Sequence, residues 1–211
     1  MAVAAIIPAY NEERTIRHTI HVLQHVPELD EIIVVNDGSA DRTAEIVAEE
    51  LGVVLVNLLE NRGKGGAIRA GLDRTNADVI LLLDADLIGL SRQHVSDLLL
   101  PVLDGRAKTT MGVFTGGRAV TDFAQKLAPK LSGQRAILRE ILTRIDIADA
   151  RYGVEVAINL YLEDRGFPIF EVELPNLTHH TKEEKMGFWR GLGARTVMYY
   201  DVVKILLGRD R

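Results

Sequence analysis

The sequence predicts an α/β fold, a mostly parallel Rossmann-like central sheet flanked by helices. Three observations carry this. Short apolar runs recur at residues 3–7, 31–35, 53–58 and 79–83. The runs lack polar alternation, which is how strands covered on both faces read. Between them, apolar residues recur at helical spacing, so strand, loop and helix repeat about every 25 residues in the manner of right-handed crossovers.

The first run stops at Pro8, and Asn11 is the expected cap of the next helix, with Glu12 and Glu13 in its first turn. Ile16, Ile20 and Leu23 share a face of that helix. The second strand runs into Asn36-Asp37-Gly38-Ser39, where glycine supplies backbone freedom and Asp or Ser bonds neighbouring amides. A helix from Asp41 is expected to bury Ala44, Val47, Ala48 and Leu51. The third strand leads to a helix over 63–72, and the fourth ends abruptly in Asp84 and Asp86. Ser91 opens a helix that packs Val95, Leu98, Leu99 and Val102. Residues 109–115 form a strand that ends at Gly116-Gly117-Arg118. Residues 121–145 read as largely helical, interrupted by a polar, sugar-facing turn at Leu131-Ser132-Gly133-Gln134-Arg135-Ala136. Tyr152-Gly153-Val154-Glu155 opens another helix, and 169–174 is a strand with Phe170, Val172 and Leu174 inward.

With 211 residues, 47% hydrophobic and 26% charged, the chain suits a single domain. Its expected divisions are a nucleotide-binding half (1–90), an acceptor and sugar half (91–186) and a C-terminal amphipathic helix (187–211). The absence of cysteine excludes disulfides, thiolate metal centres and cysteine nucleophiles. A net charge of −5 argues against a nucleic-acid partner. No apolar run approaches the roughly 20 residues of a membrane span, and no basic leader precedes the first run, so a cytoplasmic location is expected. Residues 187–207 carry too many apolar side chains for a lone surface helix. They are expected to dock on the domain, on the second subunit of a homodimer, or peripherally on the inner membrane face.

In open α/β sheets, ligands bind beyond the carboxyl ends of the strands. Four polar features follow strands there: residues 8–12, Asp37, the loop Gly63-Lys64-Gly65-Gly66, and Asp84 with Asp86. Alone, the Asp84/Asp86 pair reads as a turn with solvated carboxylates. Beside the other three, it suits a divalent cation and phosphates. Asp37 and Glu12 can bond a base or ribose, and Lys64 can reach a base or phosphates. The first loop lacks the dinucleotide glycines and no Walker A sequence occurs, so a plain dehydrogenase or P-loop NTPase is disfavoured. A nucleotidyltransferase and a non-catalytic sugar-nucleotide-binding module remain as alternatives from other classes.

Ile7-Pro8-Ala9-Tyr10-Asn11-Glu12-Glu13, the stretch from Val35 to Thr43, Asn61 to Ala67, and Leu83-Asp84-Ala85-Asp86 resemble, in that order, the nucleotide-sugar half of family 2-like GT-A glycosyltransferases. The resemblance implies that Pro8, Tyr10, Glu12, Asp37, Lys64 and Asp84 surround a uridine nucleotide, with Ala9 and Ala85 inside the same motifs. It also implies that Asp86 reaches a Mg²⁺ or Mn²⁺ ion on the diphosphate.

The second half resembles glucosyl-3-phosphoglycerate synthases through Gly116-Gly117-Arg118, Leu131 to Ala136, Tyr152 to Glu155 and His179-His180, although Val120 stands where that family has threonine. That resemblance implies that Gly117 and Arg118 meet donor and acceptor, that Glu155 contacts the transferred sugar, and that a histidine joins Asp86 on the metal. Of the two, His180 is favoured, because His179 is expected to close the preceding turn. Ser132 and Gly133 are counted with the donor contacts. The function implied is transfer of a hexose, glucose first, from a UDP-sugar to a small phosphorylated or carboxylated acceptor such as 3-phosphoglycerate. Polyprenyl phosphate at a membrane surface is the alternative acceptor.

Overall fold

The computed structural model describes residues 1–115, 132–147 and 153–179. Its nine strands are β1 (Val3–Ala9), β2 (Glu31–Asp37), β3 (Val53–Leu58), β4 (Val79–Leu82), β5 (Leu87–Ile88), β6 (Thr110–Thr115), β7 (Arg135–Leu138), β8 (Phe170–Pro175) and β9 (Thr178–His179) among those residues. The helices among them are α1 (Ile16–Leu23), α2 (Thr43–Ala48), α3 (Gly63–Leu72), α4 (Arg92–Leu103), α5 (Arg139–Leu142) and α6 (Val154–Asp164).

The main sheet has the order β3-β2-β1-β4-β7, parallel except for β7. Beyond it, Gly112 N–H donates to the Gln134 carbonyl at 2.8 Å and Leu138 N–H to the Lys108 carbonyl at 3.1 Å, joining β6 to the outer side of β7. β8 then pairs parallel with β6. The mostly parallel, helix-flanked sheet expected from the apolar runs is present.

Those runs hide a period of two. Val3, Ala5, Ile7 and Ala9 enter one core with Ile16, Ile20 and Leu23 of α1 and Val95, Leu98 and Leu99 of α4. Ala4 and Ile6 enter the other, with Ala67, Ile68 and Leu72 of α3 and Val154, Ile158 and Leu162 of α6. Alternate side chains of a strand point to opposite faces, so a strand with a core on each side has no polar position to offer.

Several local expectations are corrected. Asn11 does not cap α1. It has φ 56°, its side chain accepts the Ala40 N–H at 2.9 Å, and the helix begins five residues later, at Ile16. Asn tolerates this left-handed conformation because its short amide bonds locally. α2 ends at Ala48, so Leu51 lies past it and is exposed, and Val47 carries the packing. Residues 135–138 are a strand rather than helix or turn. Phe170 opens β8 and is exposed, while Val172 and Leu174 are buried. Ser91 does cap α4, its side chain accepting the His94 N–H at 3.3 Å.

Among the described residues, no helix is long and apolar enough to cross a membrane. Gly116, Gly117, Arg118, Tyr152, His180 and the whole stretch 187–211 lie outside the described residues.

Candidate functional site

Because β1, β2, β3 and β4 are parallel, their carboxyl ends form one rim. Pro8 and Ala9 close β1, Asp37 closes β2, and Asp84 to Asp86 follow β4. Lys64 is the second residue of α3, the helix that follows β3.

The Asn36–Ser39 turn is locked from within. Asp37 is 3% exposed, and its Oδ1 accepts the Arg62 N–H at 2.7 Å, tying β2 to the start of α3. Asn36 Oδ1 accepts the Ser39 N–H at 3.2 Å, and Ser39 Oγ accepts the Asn11 N–H at 2.9 Å. Gly38 has φ +70°, and a Cβ there would lie 2.9 Å from the Asn61 nitrogen. Glycine meets both demands at once: a left-handed backbone and no room for a side chain. On the first loop, Glu12 Oε2 accepts the Thr15 hydroxyl at 3.1 Å, its N–H donates to Thr43 Oγ1 at 2.8 Å, and Tyr10 is exposed. Ala9 and Ala85 are buried, and the Ala85 carbonyl accepts the Thr19 hydroxyl at 3.5 Å, so their side chains belong to the core rather than to the rim.

The most organised group joins residues far apart along the chain. Lys64 Nζ donates to Asp84 Oδ1 at 2.6 Å and to Glu155 Oε1 at 2.5 Å. Gln134 Nε2 donates to the other oxygen of Asp84 at 2.9 Å. Burial pulls the Lys64 ammonium down, but Asp84 and Glu155 outweigh it and hold its pKa well above the ordinary value of 10.5. One cation is thus shared by two carboxylates, and all three side chains keep partial access to solvent.

Gly133 passes so close that a Cβ there would press on Lys64 Nζ and lie 3.0 Å from Asp84 Oδ2 and 3.1 Å from Glu155 Oε1. Ser132 is half-buried, and its hydroxyl accepts the Gln134 N–H at 3.4 Å. Beneath the group, Arg135 is buried, bonded to Asn159 Oδ1 at 2.9 Å, and lowered to about 10 by burial, against the pull of Glu155.

Asp86 is half-buried just before β5. β5 pairs antiparallel with β9, with Leu87 opposite His179. The backbone of the histidine segment therefore runs one residue from Asp86, and His179 is part of a strand rather than the close of a turn. Among the described residues, no three carboxylates or imidazoles form a group that could hold a metal.

Lys64, Asp84, Glu155 and Gly133 are thus brought together, and Asp37, Tyr10 and Glu12 line the same rim. Gln134 and Arg135 entered the sequence reading only as part of the 131–136 turn, with no role of their own. Their signal is a pair of polar residues directly ahead of the apolar Ala136-Ile137-Leu138, which marks the mouth of a strand.

The chain belongs to glycosyl transferase family 2, whose model matches residues 4–151. With its mostly parallel sheet flanked by helices, the fold is that of the GT-A class. A glucosyl-3-phosphoglycerate synthase from Mycobacterium tuberculosis, solved with Mn²⁺ and UDP-glucose, is 28% identical with a TM-score of 0.80, covering 99% of this chain and 78% of that one. The same synthase solved with Mn²⁺, UDP-glucose and phosphoglyceric acid superposes with a TM-score of 0.78 at 28% identity, covering 99% of this chain and 79% of that one. A dolichyl-phosphate beta-glucosyltransferase of Trichomonas vaginalis is 34% identical over 135 residues, 57% of this chain and 41% of that protein. A poly-beta-1,6-N-acetyl-D-glucosamine synthase of Staphylococcus aureus is 41% identical over 87 residues, 39% of this chain and 21% of that protein. The chain thus spans well under half the length of these two curated relatives.

Proposed function

We propose that this chain is a metal-dependent hexosyltransferase that takes glucose from UDP-glucose and passes it to a small phosphorylated or carboxylated acceptor of the 3-phosphoglycerate kind. The observation that carries this is the Lys64–Asp84–Glu155 group at the carboxyl rim, two residues from Asp86. Family membership and the UDP-glucose complexes of the Mycobacterium synthase support it.

The donor set suits Mg²⁺ or Mn²⁺. Asp86 offers a hard carboxylate oxygen with partial solvent access, and β9 carries the histidine segment beside it. His180, or else His179, would complete the shell, and an imidazole favours Mn²⁺. When bound there, such an ion would supply Lewis acidity to the departing diphosphate. Asp37, anchored by Arg62, faces uracil or ribose with Tyr10 and Glu12, and Asp84 orients ribose. Lys64 bonds both Asp84 and Glu155 and offers a positive charge to the phosphates. Glu155 bonds the hydroxyls of the transferred sugar, and Gly117 and Arg118 hold donor and acceptor.

Polyprenyl phosphate is the second acceptor reading, favoured by the similarity to the dolichyl-phosphate enzyme. A homodimer, a cytoplasmic location and peripheral membrane contact through 187–207 belong to the same proposal.

The test is UDP release from UDP-glucose with Mn²⁺, offered 3-phosphoglycerate, glycerol 3-phosphate and a detergent-solubilised polyprenyl phosphate in turn. Turnover with a small anionic acceptor supports the first reading, and turnover only with the lipid moves the assignment to the second. Tight UDP binding with no turnover on any acceptor overturns both and leaves a binding module.

A further inference from the structure

Strand β7 carries a cation to which the donor reading assigns no part. Arg135 is 1% exposed and lies on the face of β7 that carries Ile137, against α6. Its Nη2 donates to Asn159 Oδ1 at 2.9 Å, while its Nε and Nη1 are buried without a hydrogen-bond partner. A guanidinium kept charged in a core is expensive unless an anion lies near. Asn159 stands one helical turn beyond Glu155 on α6, so the two side chains are neighbours on one face. Glu155 is also the anion whose field works against the burial that drags Arg135 down to about 10. On its other side, Glu155 meets Lys64 Nζ at 2.5 Å. The carboxylate therefore feels two cations of different kinds, Lys64 in direct contact and Arg135 at longer range, one helical turn away through Asn159. Lys64 is on a flexible stem at the rim, whereas Arg135 is locked in the core.

We propose that Arg135 is a positioning residue that holds the Glu155 carboxylate from beneath, so that a fixed cation remains behind Glu155 when the Lys64 ammonium turns to the donor phosphates. This rests on the donor reading given above. Without Arg135, drawing Lys64 away leaves Glu155 beside Asp84 with no countercharge of its own, and its hold on the sugar slackens. Affinity for the nucleotide alone should change little, because among the described residues the Arg135 guanidinium bonds to Asn159 rather than to the expected uridine-side residues.

The experiment is a double-mutant cycle on the full chain, using Arg135→Met, Arg135→Lys, Glu155→Gln and the doubles. Calorimetry with Mn²⁺ gives the ratio of UDP-glucose to UDP affinity, and UDP release gives kcat and KM. In Arg135→Met, UDP affinity should stay within about 2-fold while kcat falls roughly 10- to 30-fold and the UDP-glucose preference shrinks. Arg135→Lys, which keeps the charge, should recover most of the loss. In the Glu155→Gln background, Arg135→Met should cost no more than about 2-fold further. Losses that multiply across the two sites, or equal damage from Lys and Met, overturn the proposal, because a merely structural arginine behaves that way. Should Arg135→Met fail to fold, Arg135→Lys and its cycle carry the test: a few-fold loss that disappears with Glu155→Gln supports the role, and the same loss in both backgrounds overturns it. If the unsubstituted chain does not bind UDP-glucose, the donor reading itself fails before any substitution is made, and this inference falls with it.

Discussion

Gly133→Ala is the sharpest perturbation of the site, because it adds one methyl and nothing else. Gly133 is not among the positive-φ glycines, so alanine fits its backbone without strain. The new Cβ would press on Lys64 Nζ and stand 3.0 Å from Asp84 Oδ2 and 3.1 Å from Glu155 Oε1. All three atoms end flexible side chains, so the fold yields and stability should fall by less than about 1 kcal/mol. The ion group does not yield so cheaply. The ammonium must withdraw from at least one carboxylate, and a charge-assisted hydrogen bond is worth roughly 1.5–3 kcal/mol. Side-chain exposures of 22%, 23% and 14% for Lys64, Asp84 and Glu155 place the loss at the lower end. That corresponds to a drop of roughly 10- to 30-fold in kcat/KM. The assay is UDP release with Mn²⁺ beside a thermal melt, and a structure of the variant should show Lys64 detached from Asp84 or Glu155. An unchanged kcat/KM with the bridge intact would refute the reasoning, since the methyl would then have found room that the geometry denies it.

Three further outcomes follow from named contacts. Asp86→Asn removes charge at nearly constant volume and should abolish most metal-dependent turnover while leaving the melting temperature unchanged; of the single histidine variants, His180→Ala should raise the Mn²⁺ needed for half-maximal rate and His179→Ala should not. Asp37→Ala should weaken UDP binding by about 1–3 kcal/mol, read by calorimetry, because the anchor that ties β2 to α3 is lost together with the ligand contact. Asp41 is raised by partial burial but more strongly lowered by the Thr43 hydroxyl and the N–H groups of Thr43 and Glu13, so its carboxyl titrates below its ordinary 3.8. The folded state therefore binds the proton less tightly than the unfolded one. Asp41→Ala should cost about 1 kcal/mol at pH 7 through the lost hydrogen bonds from the Thr43 and Glu13 N–H groups; that difference is full above the ordinary value and fades as the pH falls through the depressed one, a trend that urea melts at pH 7 and at low pH will show.

The four parallel strands were legible because each is built on a short, mostly apolar run that ends in polar or turn residues. β7 was not. It has only four residues, opens with a charged side chain, and follows Ser132-Gly133-Gln134, so pattern alone favours a turn there. Its strand character comes from tertiary pairing with Leu82, Leu81, Ile80 and Val79, which no local window contains. Asn11 misled for a related reason, since its amide found a partner on the next loop instead of a helix terminus. At the site, Lys64, Asp84, Glu155 and Gly133 were each legible as candidates. What the sequence withheld was that one ammonium joins Asp84 to Glu155, a carboxylate 91 positions from the lysine itself. Gln134 and Arg135 were read only as part of a polar turn, and their separate parts stayed hidden because the strand that aims them was missed.

β7 also sets the smallest unit that can be cut from this molecule. β4 is buried along its whole length, and its outer edge is covered by chain that arrives more than fifty residues later. A fragment ending near residue 90 would keep every uridine-side residue yet expose Val79, Ile80, Leu81 and Leu82 as a bare apolar edge, the kind that recruits a strand from another copy. The half expected to bind the nucleotide therefore does not close the edge of its own sheet. Swapping acceptor halves between relatives must carry residues 135–138 along, because that short strand seals the donor side as well as shaping its partner.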